Sequence, residues 1–293
     1  MNIKELEYFQ DLVEKRNFSI VAADFKVSQP TITMAIKRLE AELNTILFMR
    51  DPGRNHLSVT TSGKQLAVHV AAILNHLEIA KNQINSINHQ KIKFGLPPII
   101  GQKYFPQLAA LLNQHDLLNQ VISVERGSAE LINLLNNGSL DLALLGSVVP
   151  LNQESLHAQE FAQSNFKIIV SQNSPLASLT KISFKELKGQ SFITLSENFV
   201  HDKALKQLSH LNHFRPKIIF KSNDPQVVQR MVQNDVGISL LAETAITEDV
   251  HAIELADDSQ PHFHMSIAYR SDHLITDFER QVIDWILNLT NYH

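Results

Sequence analysis

From residue 3 to residue 43 the apolar positions recur at helical spacing in three short runs. Ile3, Leu6, Phe9, Leu12 and Val13 make one face of a first helix. Asn17 or Ser19 can open a second, whose face is Phe18, Val21, Ala22 and Phe25. After the short turn Lys26-Val27-Ser28, residues 28–43 place Ile32, Ile36, Leu39 and Leu43 on one face of a third. Pro30 sits just inside its start and Ser28 can cap it. The opposite face carries Gln29, Thr31, Thr33, Met34, Lys37 and Arg38. Three short amphipathic helices with a tight second turn fit a helix-turn-helix. Its third helix sets small polar groups where they reach base edges and longer cations where they reach phosphate. Taken alone, that helix reads equally well as a surface helix with a solvated face. Asn44 is placed to end it in left-handed conformation. Leu47 and Phe48 then return to the core, Arg50 to Asn55 is turn-rich, and Leu57–Thr60 alternates like a strand. This predicts a small β wing with Arg50 and Arg54 facing the phosphate backbone.

The next stretch changes period. Residues 61–89 contain no Pro and one Gly, Gly63. Leu66, Val70, Ile73, Leu77, Ala80, Ile84 and Ile87 alternate steps of four and three, the seam of a coiled coil. The pattern predicts a helix of roughly 40 Å at ~1.5 Å per residue that pairs two copies of the chain through residues 61–90. A two-fold protein of this kind predicts an inverted-repeat DNA site.

From Lys91 onward strands and helices alternate, as in an α/β domain. Residues 127–145 and 223–241 align without gaps at a separation of 96 positions. Each reads as a helix followed by an apolar strand, and each follows a strand, Val121–Glu125 and Lys217–Phe220. Two similar α/β lobes account for this, and chance likeness between two helix–strand units is the alternative. Crossings near Phe161–Ile168 and Met265–Tyr269 divide the chain into 1–60, 61–90, lobe I at 91–163 and 266–293, and lobe II at 164–265. Ligands favour the cleft between two such lobes.

Composition narrows the chemistry. At 293 residues two or three domains are expected. The absence of Cys excludes disulfides, thiolate catalysis and Cys-based zinc sites. Net charge is −4, and residues 1–60 hold eight Lys or Arg against eight acids, a balance of zero. DNA attraction must therefore come from a local patch. No stretch approaches the ~20 apolar residues of a membrane span, and the start lacks a signal-peptide pattern, so a cytoplasmic protein with no membrane partner is expected. No Gly-x-Ser-x-Gly, His-Glu-x-x-His, Gly-x-Gly-x-x-Gly or Walker-type loop is present, so no enzyme and no cofactor are expected. Fourteen His include His210/His213 and His262/His264, but without Cys or a matching carboxylate pattern they read as surface residues rather than metal ligands.

The runs Ser28-Gln29-Pro30, Ile36-Lys37-Arg38-Leu39-Glu40, Leu47-Phe48-Met49-Arg50 and Val59-Thr60-Thr61-Ser62-Gly63 resemble the N-terminal domain of LysR-type transcriptional regulators. The resemblance implies an N-terminal all-α winged helix-turn-helix, a long linker helix that pairs antiparallel, and a C-terminal α/β two-lobed periplasmic-binding-protein-like effector domain. It also implies a homodimer assembling into a tetramer, double-stranded DNA, a small-molecule effector and RNA polymerase as partners. DNA contacts would fall on Gln29, Pro30, Thr31, Thr33, Met34, Lys37 and Arg38. Met34 stands where many members carry Arg, so an apolar contact to a thymine methyl would replace a guanine contact.

In that fold, helix N-termini line the cleft and suit a carboxylate. By matching position, Pro98, Ile99, Ile100 and Gly101 form one wall, Ser128 a second, and Ser196, Asn198 and Asn223 the opposite side. Ser128 and Ser196 would donate hydroxyls, and the backbone of Ile99 to Gly101 its amides. The loop Leu96-Pro97-Pro98-Ile99-Ile100-Gly101 is similar to members that govern organic-acid metabolism, malolactic regulators among them. The competing reading makes the two-lobed domain an enzyme or solute carrier and the N-terminal part an assembly device.

Overall fold

The computed structural model describes residues 1–50, 57–89 and 91–289, which divide into two compact units between Asn82 and Gln83. In the first unit, α1 (Ile3–Lys15) starts in a capping box. The Asn2 side chain accepts the Glu5 N–H and the Glu5 carboxylate accepts the Asn2 N–H. Phe9 and Leu12 on this helix are fully buried, whereas Ile3 opens the helix ahead of its packed face and stays exposed. Asn17 caps α2 (Phe18–Asp24), and Lys26, at φ 54°, makes the turn into α3 (Gln29–Glu42).

Ile32, Ala35, Ile36 and Leu39 of α3 are buried. Leu43 is exposed, because the helix ends at Glu42 and Asn44 turns the chain at φ 51°. The carboxylate of Glu40 accepts the Leu47 and Phe48 amides, so the end of α3 sets where β1 (Phe48–Arg50) begins. β1 pairs antiparallel with β2 (Leu57–Val59). The long α4 (Thr61–His89) follows. Its first turns complete this core through Val70, with Leu66, Ala67 and Leu74 packed beside it. The apolar repeat on α4 therefore has two uses: Leu66 and Val70 face their own unit, while Ile73, Ala80 and Ile84 are exposed.

The second unit contains β3 (Ile92–Leu96), α5 (Pro98–Gln114), β4 (Val121–Glu125), α6 (Ser128–Asn136), β5 (Leu142–Ser147), β6 (Leu156–Val170) and β7 (Lys181–Ile182). It continues with β8 (Ser191–Leu195), α7 (Val200–Leu211), β9 (Lys217–Ser222), α8 (Pro225–Gln233), β10 (Ser239–Ala242), β11 (His251–Leu255), β12 (His262–Arg270) and α9 (Asp277–Asn288). In one lobe β3 lies parallel between β4 and β5, and β12 runs antiparallel beside β5. In the other, β8 lies parallel to β9 and bridges to Ile238 just ahead of β10, and β10 runs antiparallel beside β6. Both lobes thus repeat strand–helix–strand–helix–strand, with helices as crossovers between parallel strands.

The long β6 joins the lobes. Its residues up to Asn165 pair with β12, and from Phe166 it pairs with β10. Phe166 and Ile168 are fully buried where the partner changes. His262 pairs with Asn165, so the returning chain is back in the first lobe from the start of β12. Met265 to Ala268, expected to mark the return crossing, already pair with β5. The apolar run there reports burial, which a strand keeps whichever neighbour it pairs with. Among the described residues no helix is long and apolar enough to cross a membrane.

Candidate nucleic-acid interface and ligand cleft

The outer face of α3 carries Gln29, Pro30, Thr31, Met34, Lys37 and Arg38, all exposed, with Thr33 half-buried. The Gln29 amide donates to the Thr33 hydroxyl at 3.1 Å, and that hydroxyl donates to the Gln29 carbonyl at 3.2 Å. These two side chains hold each other, so they meet a base edge as one unit. The Ser28 and Thr31 hydroxyls lie 2.8 Å apart, which ties Thr31 to the cap. Lys37 forms no ion pair among the described residues and can reach for phosphate. Arg54 lies outside the described residues, as does the side chain of Arg50.

Arg38 is engaged within the fold. Its Nε donates to Glu5 Oε1 at 2.6 Å, and the Glu5 side chain is 6% exposed against 58% for Arg38. Burial works against the Glu5 carboxylate, but the Arg38 guanidinium and the Asn2 amide outweigh it and hold the pKa below the usual value. Arg38 thereby locks α1 to α3, and only its exposed part remains for DNA. A depressed carboxyl stabilises the fold above its unfolded pKa, and that stability fades as pH falls through the folded pKa. Arg38→Met should lower stability at neutral pH by about 1 kcal/mol, since the exposed guanidinium is screened by solvent. The deficit should shrink as pH falls through the lowered folded pKa of Glu5, where the carboxylate takes up a proton. Thermal melts of wild type and variant across pH check this, and a deficit independent of pH contradicts it.

In the second unit a cavity opens between the lobes. Pro97, Pro98, Ile99, Gly127 and Ser128 wall it on one side, and Phe199, Val200 and His201 on the other, with Phe263 of β12 also in the lining. The free volume is about 20 Å³, room for one water-sized group. The lobes meet at its mouth: Asn198 Nδ2 donates to Glu130 Oε1 of α6 at 3.2 Å. A Cβ added to Gly127 would stand 2.8 Å from the Asn198 carbonyl oxygen.

Three helices begin at this cavity, α5, α6 and α7, capped by Pro97, Gly127 and Phe199 with no side-chain hydrogen bond. By contrast α1, α2, α3, α8 and α9 each have a capping side chain. The amides that a cap would occupy are left for something else. Ser128 is 6% exposed, and its Oγ accepts the Gly146 N–H at 2.9 Å. A hydroxyl that accepts keeps its own proton to donate.

The expected cleft residues do not all gather here. Pro98, Ile99 and Ser128 line the cavity. Ile100 is fully buried in the core of the lobe, on the inner face of α5. The Gly101 amide is already bonded to the Pro97 carbonyl at 2.7 Å, because α5 starts at Pro98 and Gly101 completes its first turn. Only the Ile99 and Ile100 amides remain from that segment. Ser196 and Asn223, which directly follow β8 and β9, are not among the residues that line the cavity. Asn198 joins the lobes through its side chain instead of lining the cavity. Phe199, Val200, His201 and Phe263 were not anticipated. His201 is the second residue of α7, three and four positions before buried Ala204 and Leu205, so it shares their inward face.

A second polar cluster lies elsewhere in this unit. Asp141, His273 and Glu279 bring ligand atoms within 4.8 Å of one another. All three are committed to hydrogen bonds. His273 Nε2 meets Glu279 Oε1 at 2.8 Å, and His273 Nδ1 meets Gln83 of α4 at 2.8 Å. Glu279 also accepts the Thr276 amide at 2.8 Å, and Asp141 accepts the Lys93 amide at 2.8 Å. Burial works against the Glu279 charge, and His273 and Thr276 outweigh it to hold the pKa low. Burial pushes Asp141 up. The set reads as a clasp inside the second unit, holding the end of α4 from Gln83 onward against the rest of that unit.

Comparison with known proteins bears on both surfaces. Residues 3–64 match the family model described as bacterial regulatory helix-turn-helix protein, lysR family. Residues 87–290 match the LysR substrate binding domain. The chain is 32% identical over 295 residues to the malolactic fermentation system transcriptional activator of Lactococcus lactis subsp. lactis, covering 99% of both chains. A Corynebacterium glutamicum OxyR C206 mutant shares the fold with a TM-score of 0.61 at 17% identity, covering 99% of this chain and 92% of that one. The effector binding domain of QuiR in complex with shikimate shares it with a TM-score of 0.60 at 19% identity, covering 69% of this chain and 98% of that one.

Proposed function

The chain belongs to the LysR family of transcriptional regulators, and on that premise we propose that it binds an inverted-repeat DNA site as a homodimer and senses a small organic acid between its lobes. LysR regulators are ligand-responsive DNA-binding proteins, not enzymes, and this chain carries both parts. The observation that carries the ligand reading is the convergence of three uncapped helix N-termini on one cavity. Each contributes about half a positive charge and free amides, which suits a carboxylate. The named role of the Lactococcus lactis relative, a malolactic fermentation system, supports an organic acid.

On the DNA side, Gln29 and Thr33 read base edges, Met34 makes an apolar contact, and Lys37 holds phosphate. The exposed Ile73 and Ile84 of α4 supply apolar surface for pairing two chains through residues 61–90. Paired dimers form the tetramer.

A gel shift on an inverted repeat in graded salt tests this. Specific binding should weaken steeply with salt. Lys37→Ala should weaken binding about equally for all sequences and reduce the salt slope by about one. Thr33→Ala should change the ranking among sites. A protein that binds no such repeat at low salt contradicts the DNA reading.

A further inference from the structure

We propose that His201 is a specificity-determining residue of the interlobe cleft, giving its Nδ1–H to a carboxylate oxygen of a small acid that carries no ammonium group. This rests on the reading of the cleft as the effector site. His201 is 2% exposed and lines the cavity. Its ring meets Phe166 edge-on at 5.3 Å and Phe263 at 5.6 Å, so packing fixes its orientation. The Ala242 backbone N–H donates to Nε2 at 3.1 Å. A nitrogen that accepts carries the lone pair, so in the neutral ring the proton sits on Nδ1. Nδ1 is buried and has no hydrogen-bond partner. Burial pushes the pKa down to about 3, so the ring stays neutral and keeps this donor across the physiological range.

The lining sets the ligand's charge. It contains no Lys, Arg, Asp or Glu. A carboxylate is met by helix N-termini, the Ser128 hydroxyl and the His201 N–H, all of which are donors. An ammonium group on the same ligand would lose its water with no carboxylate in the lining to face, since Glu130 is engaged by Asn198 and Arg126. The cleft therefore selects hydroxy, keto or simple acids over amino acids of the same skeleton. The free volume of about 20 Å³ holds one water-sized group, so the lobes must part to admit and hold an acid.

Two matched pairs test this on the full chain by calorimetry: L-malate against L-aspartate, and L-lactate against L-alanine. Within each pair only a hydroxyl and an ammonium differ. The wild type should bind at least one hydroxy acid more than about tenfold tighter than its amino counterpart. His201→Phe fills the site without the donor and should weaken that binding by about tenfold or more. Because this variant also strips Ala242 of its acceptor, a second readout uses the unaltered protein. In ¹⁵N-histidine NMR, the imidazole N–H resonance assigned to His201 by its loss in His201→Phe should shift in the wild type as the acid is added. If a hydroxy acid binds the wild type but His201→Phe binds it equally and that resonance stays still, the His201 assignment is overturned and the cleft reading stands. If an amino acid binds as tightly as its hydroxy counterpart, the charge selection fails. If none of the four binds the wild type, the acid reading of the cleft falls and this inference with it.

Discussion

Alanine at Gly63 should destabilise the N-terminal unit by about 1–3 kcal/mol and abolish tight DNA binding. Its Cβ would stand 2.4 Å from the Leu47 carbonyl oxygen and 2.8 Å from Val59 Cγ1. That carbonyl cannot retreat easily. It accepts the Thr60 amide at 3.0 Å and the Thr60 hydroxyl at 3.1 Å, and the same hydroxyl oxygen accepts the Gly63 N–H at 3.0 Å. The run Thr60-Thr61-Ser62-Gly63 is thus a close crossing of the first turn of α4 over the strand that leads into the wing. The clash falls on backbone, so the cost belongs at the upper end of the range for overpacking. A domain of this size should lose more than about 5 °C in its melting transition. A Gly63→Ala protein that melts with the wild type and shifts DNA equally contradicts this account.

Valine at Gly127 should leave the fold intact and weaken effector binding by about tenfold or more. The backbone there has φ −65°, which any residue accepts. The obstacle lies across the cleft, where the new Cβ would meet Asn198 O at 2.8 Å and Asn198 Cβ at 3.4 Å. A branched side chain would prop the lobes apart and separate Asn198 from Glu130. A ligand can shift the equilibrium between open and closed lobes only by its differential affinity for them, and a propped cleft removes the closed partner. Calorimetry with the acid that binds the wild type, beside a thermal melt without ligand, separates the two effects. Unchanged affinity in a normally folded variant would show that lobe closure is not part of binding.

How much of this was legible in the sequence depended on the range of the interaction. The helical period located α1, α2 and α3 because each buries a continuous stripe. It misjudged Ile3 and Leu43, which sit at helix ends where the stripe outruns its cover. The Arg38–Glu5 pair spans 33 positions and follows from how α1 lies on α3, which no local pattern encodes. The seam on α4 was visible, yet period alone could not say that Leu66 and Val70 serve the winged core while Ile73 and Ile84 stay exposed.

Pro98, Ile99 and Ser128 line the cavity, and each stands at a strand–loop–helix junction that is readable in the sequence. Ser196 and Asn223 missed the cavity because a junction read from sequence floats by a few residues. His201 was overlooked because a polar residue at a helix start reads as surface. Its spacing to Ala204, Leu205 and Leu208 was the signal that it points inward.

The central claim is that one protein couples acid in the cleft to DNA on α3, and reciprocity gives its most direct measurement. The affinity of the full chain for an inverted-repeat DNA should be measured at one salt concentration, with and without saturating hydroxy acid. The affinity for the acid should then be measured with and without the DNA. The account predicts that the two factors differ from one and are equal, on the order of 5- to 150-fold, because coupling between two sites is mutual. Tight binding of both ligands with neither affecting the other would contradict it.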